Sequence, residues 1–142
     1  MRERPLLVTA ALILRGSRIL IAQRLPDSRF EPNKWEFPGG KVDFGEHPVR
    51  TLERELEEEL GIIVEVGPLY DLTSHVYEQN GMKRHVVILF YLCRLSSGEP
   101  APLDCQDIRW VAREELTTYI YVEGDNTVVV KIKEDDHLWS RT

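Results

Sequence analysis

Apolar positions recur along this chain with two different periods, and the switches between them outline its elements. Near the N-terminus, aliphatic runs at Leu6–Leu14 and Arg18–Gln23 flank Arg15-Gly16-Ser17. Runs rich in Leu, Ile and Val around a short glycine-containing turn predict an antiparallel hairpin. Pro26 through Lys34 mixes Pro, Asp, Ser and Asn and reads as a loop, closed by Trp35-Glu36-Phe37 before a chain reversal at Pro38-Gly39-Gly40. At His47 or Pro48 the period becomes helical, with Leu52, Leu56 and Leu60 recurring every four residues. Proline is tolerated in a first helical turn and glycine just past a last one, so the helix runs from there to Leu60 and stops at Gly61.

Ile62–Val66 and Leu69–Tyr77 read as extended segments broken by Gly67-Pro68. Asn80-Gly81, the strongest hairpin dipeptide of the chain, joins the second of them to a strand over Arg84–Leu95. Val86–Cys93 is nearly all apolar, the pattern of a strand buried on both faces. Ser96–Asp104 reads as a loop, Ile108–Val111 as a short strand and Arg113–Leu116 as a helical turn. Thr127-Val128-Val129-Val130-Lys131-Ile132 is ambiguous: a valine run favours a strand, yet Asp125 or Asn126 could cap a helix there.

Composition narrows the setting. A length of 142 residues predicts one domain, spanning 1–142, with one substantial core. No internal repeat, linker or low-complexity tract interrupts it. A net charge of −6 argues against a nucleic-acid polymer as partner, because neutralising a phosphate backbone needs a basic face. A small nucleotide carried by metal remains compatible. Leu6–Leu14 is too short to span a membrane and no signal-type cleavage site follows it, so a cytoplasmic protein is expected. Cys93 and Cys105 lack CxxC spacing and suggest neither a disulfide framework nor a zinc site, Cys93 reading as a buried thiol. No two of His47, His75, His85 and His137 share ligand spacing.

The chemistry concentrates in the helix. Glu55, Glu58 and Glu59 recur at i, i+3 and i+4, which places three carboxylates on one face. Uncompensated, they repel one another, and hard oxygen ligands favour magnesium, manganese or calcium over zinc. Arg54 alone cannot balance so many acids. By themselves the glutamates read equally as a solvated acidic face. Their flank changes this, since Gly39 and Gly40 permit backbone carbonyls and amides to approach a ligand closely.

The full pattern is Gly40, five residues, Glu46, seven residues, then Arg54-Glu55-Leu56-Glu57-Glu58-Glu59-Leu60-Gly61-Ile62. It resembles the signature of the Nudix hydrolases at every defined position. The resemblance implies an α+β fold with a mixed sheet between helices, and a helix at the valine run. It also implies hydrolysis of a nucleoside diphosphate linked to another group, with Mg2+ as cofactor or Mn2+ in its place. The metal ligands it implies are Glu55, Glu58, Glu59 and the carbonyl of Gly40. Glu55, or an acid of the later loop such as Asp104 or Asp107, would be the base. Arg54, counted with the catalytic glutamates, would act with Glu46 by holding loop to helix.

Ile19-Leu20-Ile21-Ala22-Gln23-Arg24, Trp35 through Lys41, Arg84-His85, Trp110-Val111 and Asp125 through Val129 look like stretches of the MutT branch, the nucleoside triphosphate pyrophosphohydrolases. That likeness implies a substrate side formed by Arg24, Glu36, Phe37, Pro38, Gly39 and Asn126, with Arg24 on phosphate or sugar, Phe37 beside the base and Asn126 on a purine edge. Substrates of the branch include oxidised guanine nucleotides such as 8-oxo-dGTP and, in close relatives, CTP or modified dCTP. A dinucleoside polyphosphate hydrolase and a non-catalytic nucleotide-sensing module are the alternatives, and either a monomer or a homodimer is compatible.

Overall fold

The computed structural model describes residues 4–140; Met1–Glu3 and Arg141–Thr142 of the expected single domain lie outside the described residues. Strand β1 (Leu6–Arg15) organises the molecule because it is paired along both edges. It turns through Gly16 and Ser17, both at positive φ, into antiparallel β2 (Arg18–Gln23). Two left-handed residues are what a two-residue hairpin loop demands. β2 continues the sheet through β3 (Trp35–Glu36) and also pairs with β7 (Asp107–Ala112). On its other part β1 holds β4 (Gly39–Lys41), antiparallel, and β6 (Met82–Ser97), parallel, in register from Leu6↔Val86 to Ile13↔Cys93. β5 (Ile63–Gln79) pairs antiparallel with β6 and forms the sheet edge.

Helices cover both faces of this mixed sheet, as an α+β layer structure requires. On one face α1 (Pro48–Leu60) buries Leu52, Leu56 and Leu60 against Ala11, Ile13, Leu20 and Ile62. On the other, α2 (Asn126–Glu134) and α3 (Asp136–Ser140) bring Val128, Val129, Ile132, Leu138 and Trp139 to Leu12, Ile19, Ile21 and Phe90. Each fully buried leucine contributes about 2 kcal/mol of transfer free energy, so the leucine stripe of α1 ties the carboxylate-bearing helix firmly to the sheet. The exposed His47 caps that helix by accepting the Val49 N–H at 3.1 Å on Nδ1, and Gly61 closes it at φ 69°.

Several expectations change in detail. Gly67-Pro68 does not break β5. The ladder absorbs it through register shifts around Val66 and Leu69, which an edge strand tolerates because a proline there forfeits no inner hydrogen bond. Gly39–Lys41 forms β4 rather than a turn. Within Val86–Cys93, Val86, Ile88 and Phe90 are buried while Val87, Leu89 and Tyr91 are only half-buried, so burial on two faces holds in part. In the C-terminal segment His137 is exposed, yet Leu138 and Trp139 are buried, and the Trp139 indole donates to the Ile132 carbonyl at 2.8 Å. Cys93 is buried, and that burial pushes its thiol up to about 12. No helix among the described residues is long and apolar enough to cross a membrane.

Candidate active site

Where β4, α1 and β6 converge on the first half of β1, they enclose a cleft of about 390 Å³. Alternate residues of β1, Leu6, Val8 and Ala10, face it together, as the two-residue period of a strand dictates. Gly39 and Gly40 form one wall, Glu55 and Glu59 reach in from α1, and Glu36 and Asp125 lie further in. The register Thr9↔Gly40 sets β4, and the Thr9 hydroxyl donates to the Gly40 carbonyl at 3.2 Å. A Cβ on Gly40 would lie 2.3 Å from Cδ of Glu55, so only glycine lets the helix carboxylate come this close to the strand backbone.

Arg54 ties loop to helix. Its guanidinium grips Glu46 through two bonds of 2.9 Å and reaches Glu55 at 3.0 Å, Glu58 at 3.4 Å and Asp43 at 3.4 Å. The buried Thr51 hydroxyl adds a bond of 2.7 Å to Glu46. Arg54, then Thr51, hold the Glu46 carboxyl down to about 2. Arg54 and Glu46 therefore fix the loop after β4 against α1, as expected, and neither lines the cleft.

The three glutamates divide. Glu55 and Glu59 are about 40° apart around the helix, whereas Glu58 sits on the far side of Glu55, an i+4 neighbour of Arg54. Glu58 is accordingly 60 % exposed and paired with Arg54, against 17 % for Glu55. Among the described residues no three metal-type side chains already encircle a point. What the cleft does gather is the backbone of Gly40 with the carboxylates of Glu55 and Glu59, hard oxygen donors that suit a divalent cation. Glu58 joins them only by leaving Arg54.

Burial, followed by the nearby charges of Glu55 and Glu36, pushes the Glu59 carboxyl up to about 9. The folded protein then holds a proton that the unfolded chain releases near 4.5, so the metal-free protein should lose stability as pH rises from about 4.5 toward 9. A divalent cation that binds the ionised carboxylates should flatten that decline. Urea titrations across this range, with chelator and with magnesium, check both halves, and parallel curves would contradict the second.

The substrate-side residues are brought together only in part. Arg24 pairs with Glu36 at 3.3 Å, and burial of Glu36 outweighs this pairing and raises its carboxyl. Phe37 is a core residue, edge-on to Phe90 and stacked on Tyr121, that also lines the cleft beside Gly39. Pro38 accepts the Ala11 N–H at 2.8 Å and so anchors β4 to β1. Asn126 is exposed, its amide directed to Glu123 at 3.4 Å, outside the cleft lining. Its neighbour Asp125 is the one inside: 3 % exposed, accepting the Phe37 N–H at 2.9 Å, with its carboxyl raised well above the usual range by burial and then by Glu36. Of the later-loop acids, Asp107 is taken by Arg109 at 3.1 Å, and Asp104 is exposed, near enough to help raise Glu59.

The sequence offered Asp125 as a possible cap and placed it and Arg84 in MutT-like stretches without a role at the site; both line the cleft, as does Tyr77. Asp125 makes no capping bond, while the Tyr77 hydroxyl accepts the Gly124 N–H at 2.9 Å and holds the segment just before it. No local pattern distinguishes Asp125 from Asn126 as the inward residue.

The profile of the NUDIX domain family matches residues 4–130. An 8-oxo-dGTP diphosphatase of Haemophilus influenzae is 31 % identical over 137 residues, 95 % of this chain and 97 % of that protein. A CTP pyrophosphohydrolase of Escherichia coli is 44 % identical over 79 residues, 56 % of each chain. Among solved structures, a MutT NUDIX hydrolase from Burkholderia pseudomallei superposes with a TM-score of 0.78 at 31 % identity, covering 92 % of this chain and 99 % of that one.

Proposed function

Because this chain belongs to the NUDIX family, we propose that it is a divalent-metal-dependent nucleoside triphosphate pyrophosphohydrolase, cutting an NTP or dNTP into the monophosphate and pyrophosphate. The observation that carries this reading is the contact of Glu55 with Gly40, beside Glu59, inside a cleft wide enough for a nucleotide. The names of the relatives, 8-oxo-dGTP diphosphatase and CTP pyrophosphohydrolase, support both the reaction and a triphosphate substrate.

Glu55, Glu59 and the Gly40 carbonyl would hold the cation, with Glu58 as a further ligand from the same helix. Magnesium fits these oxygen donors, and manganese is the natural substitute. When bound, such a cation neutralises charge on the phosphoryl oxygens and makes a coordinated water more acidic. Glu55 would accept the proton of the attacking water, a reading supported by its position in the cleft, whose lining includes neither Asp104 nor Asp107. Arg54 would keep Glu55 in place, and Arg24 would meet the phosphate or sugar. At the base, the role expected of Asn126 passes to Asp125, whose buried carboxyl in its neutral form offers a donor as well as an acceptor.

Turnover tests this directly. Pyrophosphate and phosphate release would be followed with magnesium across 8-oxo-dGTP, dGTP, CTP, dCTP, ADP-ribose and a diadenosine polyphosphate. Pyrophosphate from one triphosphate, far above the rest, is expected. Activity confined to ADP-ribose or the diadenosine compound, or none at all, would overturn the proposal.

A further inference from the structure

Beside the cleft runs a second groove, of about 520 Å³, and its charge is opposite. Arg4, Arg29, Lys83 and Arg84 converge on it together with His85, and among the described residues no carboxylate lines it. None of the four cations forms an ion pair with a described residue, not even Lys83 with Glu78, its register partner across the β5–β6 hairpin. Arg29 is held by a bond of 2.7 Å to the sulfur of Met82, and the Arg84 guanidinium lies 5.1 Å over the Phe30 ring. In a chain of net charge −6, four exposed cations gathered without a counter-ion among the described residues repel one another and suit an anion.

The groove is continuous with the cleft: Leu6, Phe30 and Arg84 line both. Its position relative to the carboxylates follows from β1. Thr9 is in register with Gly40 at the acidic rim, and Leu6, about 10 Å further along the strand, marks the basic one. With its base against Phe37 and Asp125 and its 5′ phosphates toward Gly40, Glu55 and Glu59, a nucleotide would have its remaining sugar hydroxyls free to reach toward Leu6 and Arg84, which the cleft and the groove share.

We propose that this basic groove binds a second phosphate carried on the sugar of the substrate nucleotide, a 3′-phosphate or a 3′-phosphodiester, and so favours nucleotides phosphorylated at both ends of the sugar. The inference rests on the triphosphate-hydrolase reading for the direction in which the nucleotide lies. Arginine and lysine are the donors that such a group recruits, and the contribution is electrostatic, so it weakens as salt rises.

Calorimetry of the full chain in magnesium buffer tests the groove apart from turnover. The ligands are guanosine 5′-monophosphate, guanosine 3′,5′-bisphosphate and the 5′-phosphorylated dinucleotide pGpG, with the matching cytidine series. In at least one series the second phosphate should tighten binding by about tenfold at low salt, a gain that shrinks in high salt. Arg29→Gln combined with Lys83→Gln should abolish the gain while leaving 5′-monophosphate affinity unchanged; Arg84 stays intact because it also lines the cleft. A gain for the bisphosphate alone would assign the groove to free mononucleotides, and one for the dinucleotide as well would assign it to the 5′ end of a short oligonucleotide. No gain in either series, or a gain that survives the double substitution, would overturn the proposal and mark the cations as a solvated patch. Binding that shows the gain without hydrolysis of any triphosphate would instead sink the catalytic reading and leave the groove standing.

Discussion

Glu59→Gln should lower turnover by about a thousandfold or more, the scale expected when one well-placed charge that stabilises a phosphoryl transition state is lost. Glu55→Gln should behave alike, whereas Glu58→Gln should cost only about tenfold, because Glu58 lies outside the cleft lining and is paired with Arg54. The exchange of Glu for Gln removes the charge and keeps the volume. It should therefore stabilise the metal-free protein at alkaline pH when made at Glu59, whose ionised form the buried site disfavours. Activity and stability would then move in opposite directions, which a merely structural glutamate would not produce. Steady-state kinetics at saturating magnesium, with thermal melts of the same samples, decide the matter. Wild-type turnover in Glu59→Gln would end the catalytic claim, and a larger loss at Glu58 than at Glu59 would mean that the cation draws Glu58 into the cleft and reorders the three.

The adjacent glycines should fail in different ways. A Cβ on Gly39 would lie 2.0 Å from the Thr9 carbonyl oxygen and 2.8 Å from the Ala10 Cα, both backbone of the central strand. Neither can move without undoing the β1–β4 ladder, so Gly39→Ala should cost roughly 3–5 kcal/mol and show a large fall in melting temperature or little folded protein. The atoms nearest to a Cβ on Gly40 all belong to the Glu55 side chain, Cδ, Oε2 and Cγ. That side chain can rotate away, so Gly40→Ala should change stability by no more than about 1 kcal/mol while turnover drops about a hundredfold as Glu55 leaves its place. Melts and kinetics of the pair, run side by side, separate the two outcomes. Full activity in Gly40→Ala would show that the close approach of Glu55 to β4 is dispensable.

The parts legible in the chain are those coded locally. Leu52, Leu56 and Leu60 announce α1 because a helix repeats at an interval that side chains can follow, and the same interval sets Glu59 and Glu55 beside that stripe with Glu58 beyond them. Asn80-Gly81 marks its hairpin because a tight turn needs two residues at positive φ, here 52° and 77°. Arg54 as a clamp was readable too, being a cation directly beside Glu55 with Glu57 and Glu58 one turn on. The valine run at 127–132 was not readable from propensity, because burial of Val128, Val129 and Ile132 against the sheet outweighs the β preference of valine. Gly67-Pro68 misled for the converse reason: a break in local geometry costs little at an edge strand.

By itself, then, the order of residues determined most of the elements, the carboxylate cluster and, through the spacing around it, the family. Tertiary structure alone decided which carboxylates share the cleft, that Asp125 rather than Asn126 turns inward, and that Arg84 and the basic groove adjoin the acidic rim. These depend on the parallel register of β1 with β6 and on where α1 and α2 dock. Such pairings join segments far apart in the chain, and the burial energy that selects them is summed over whole faces, so no short stretch of sequence carries their signature.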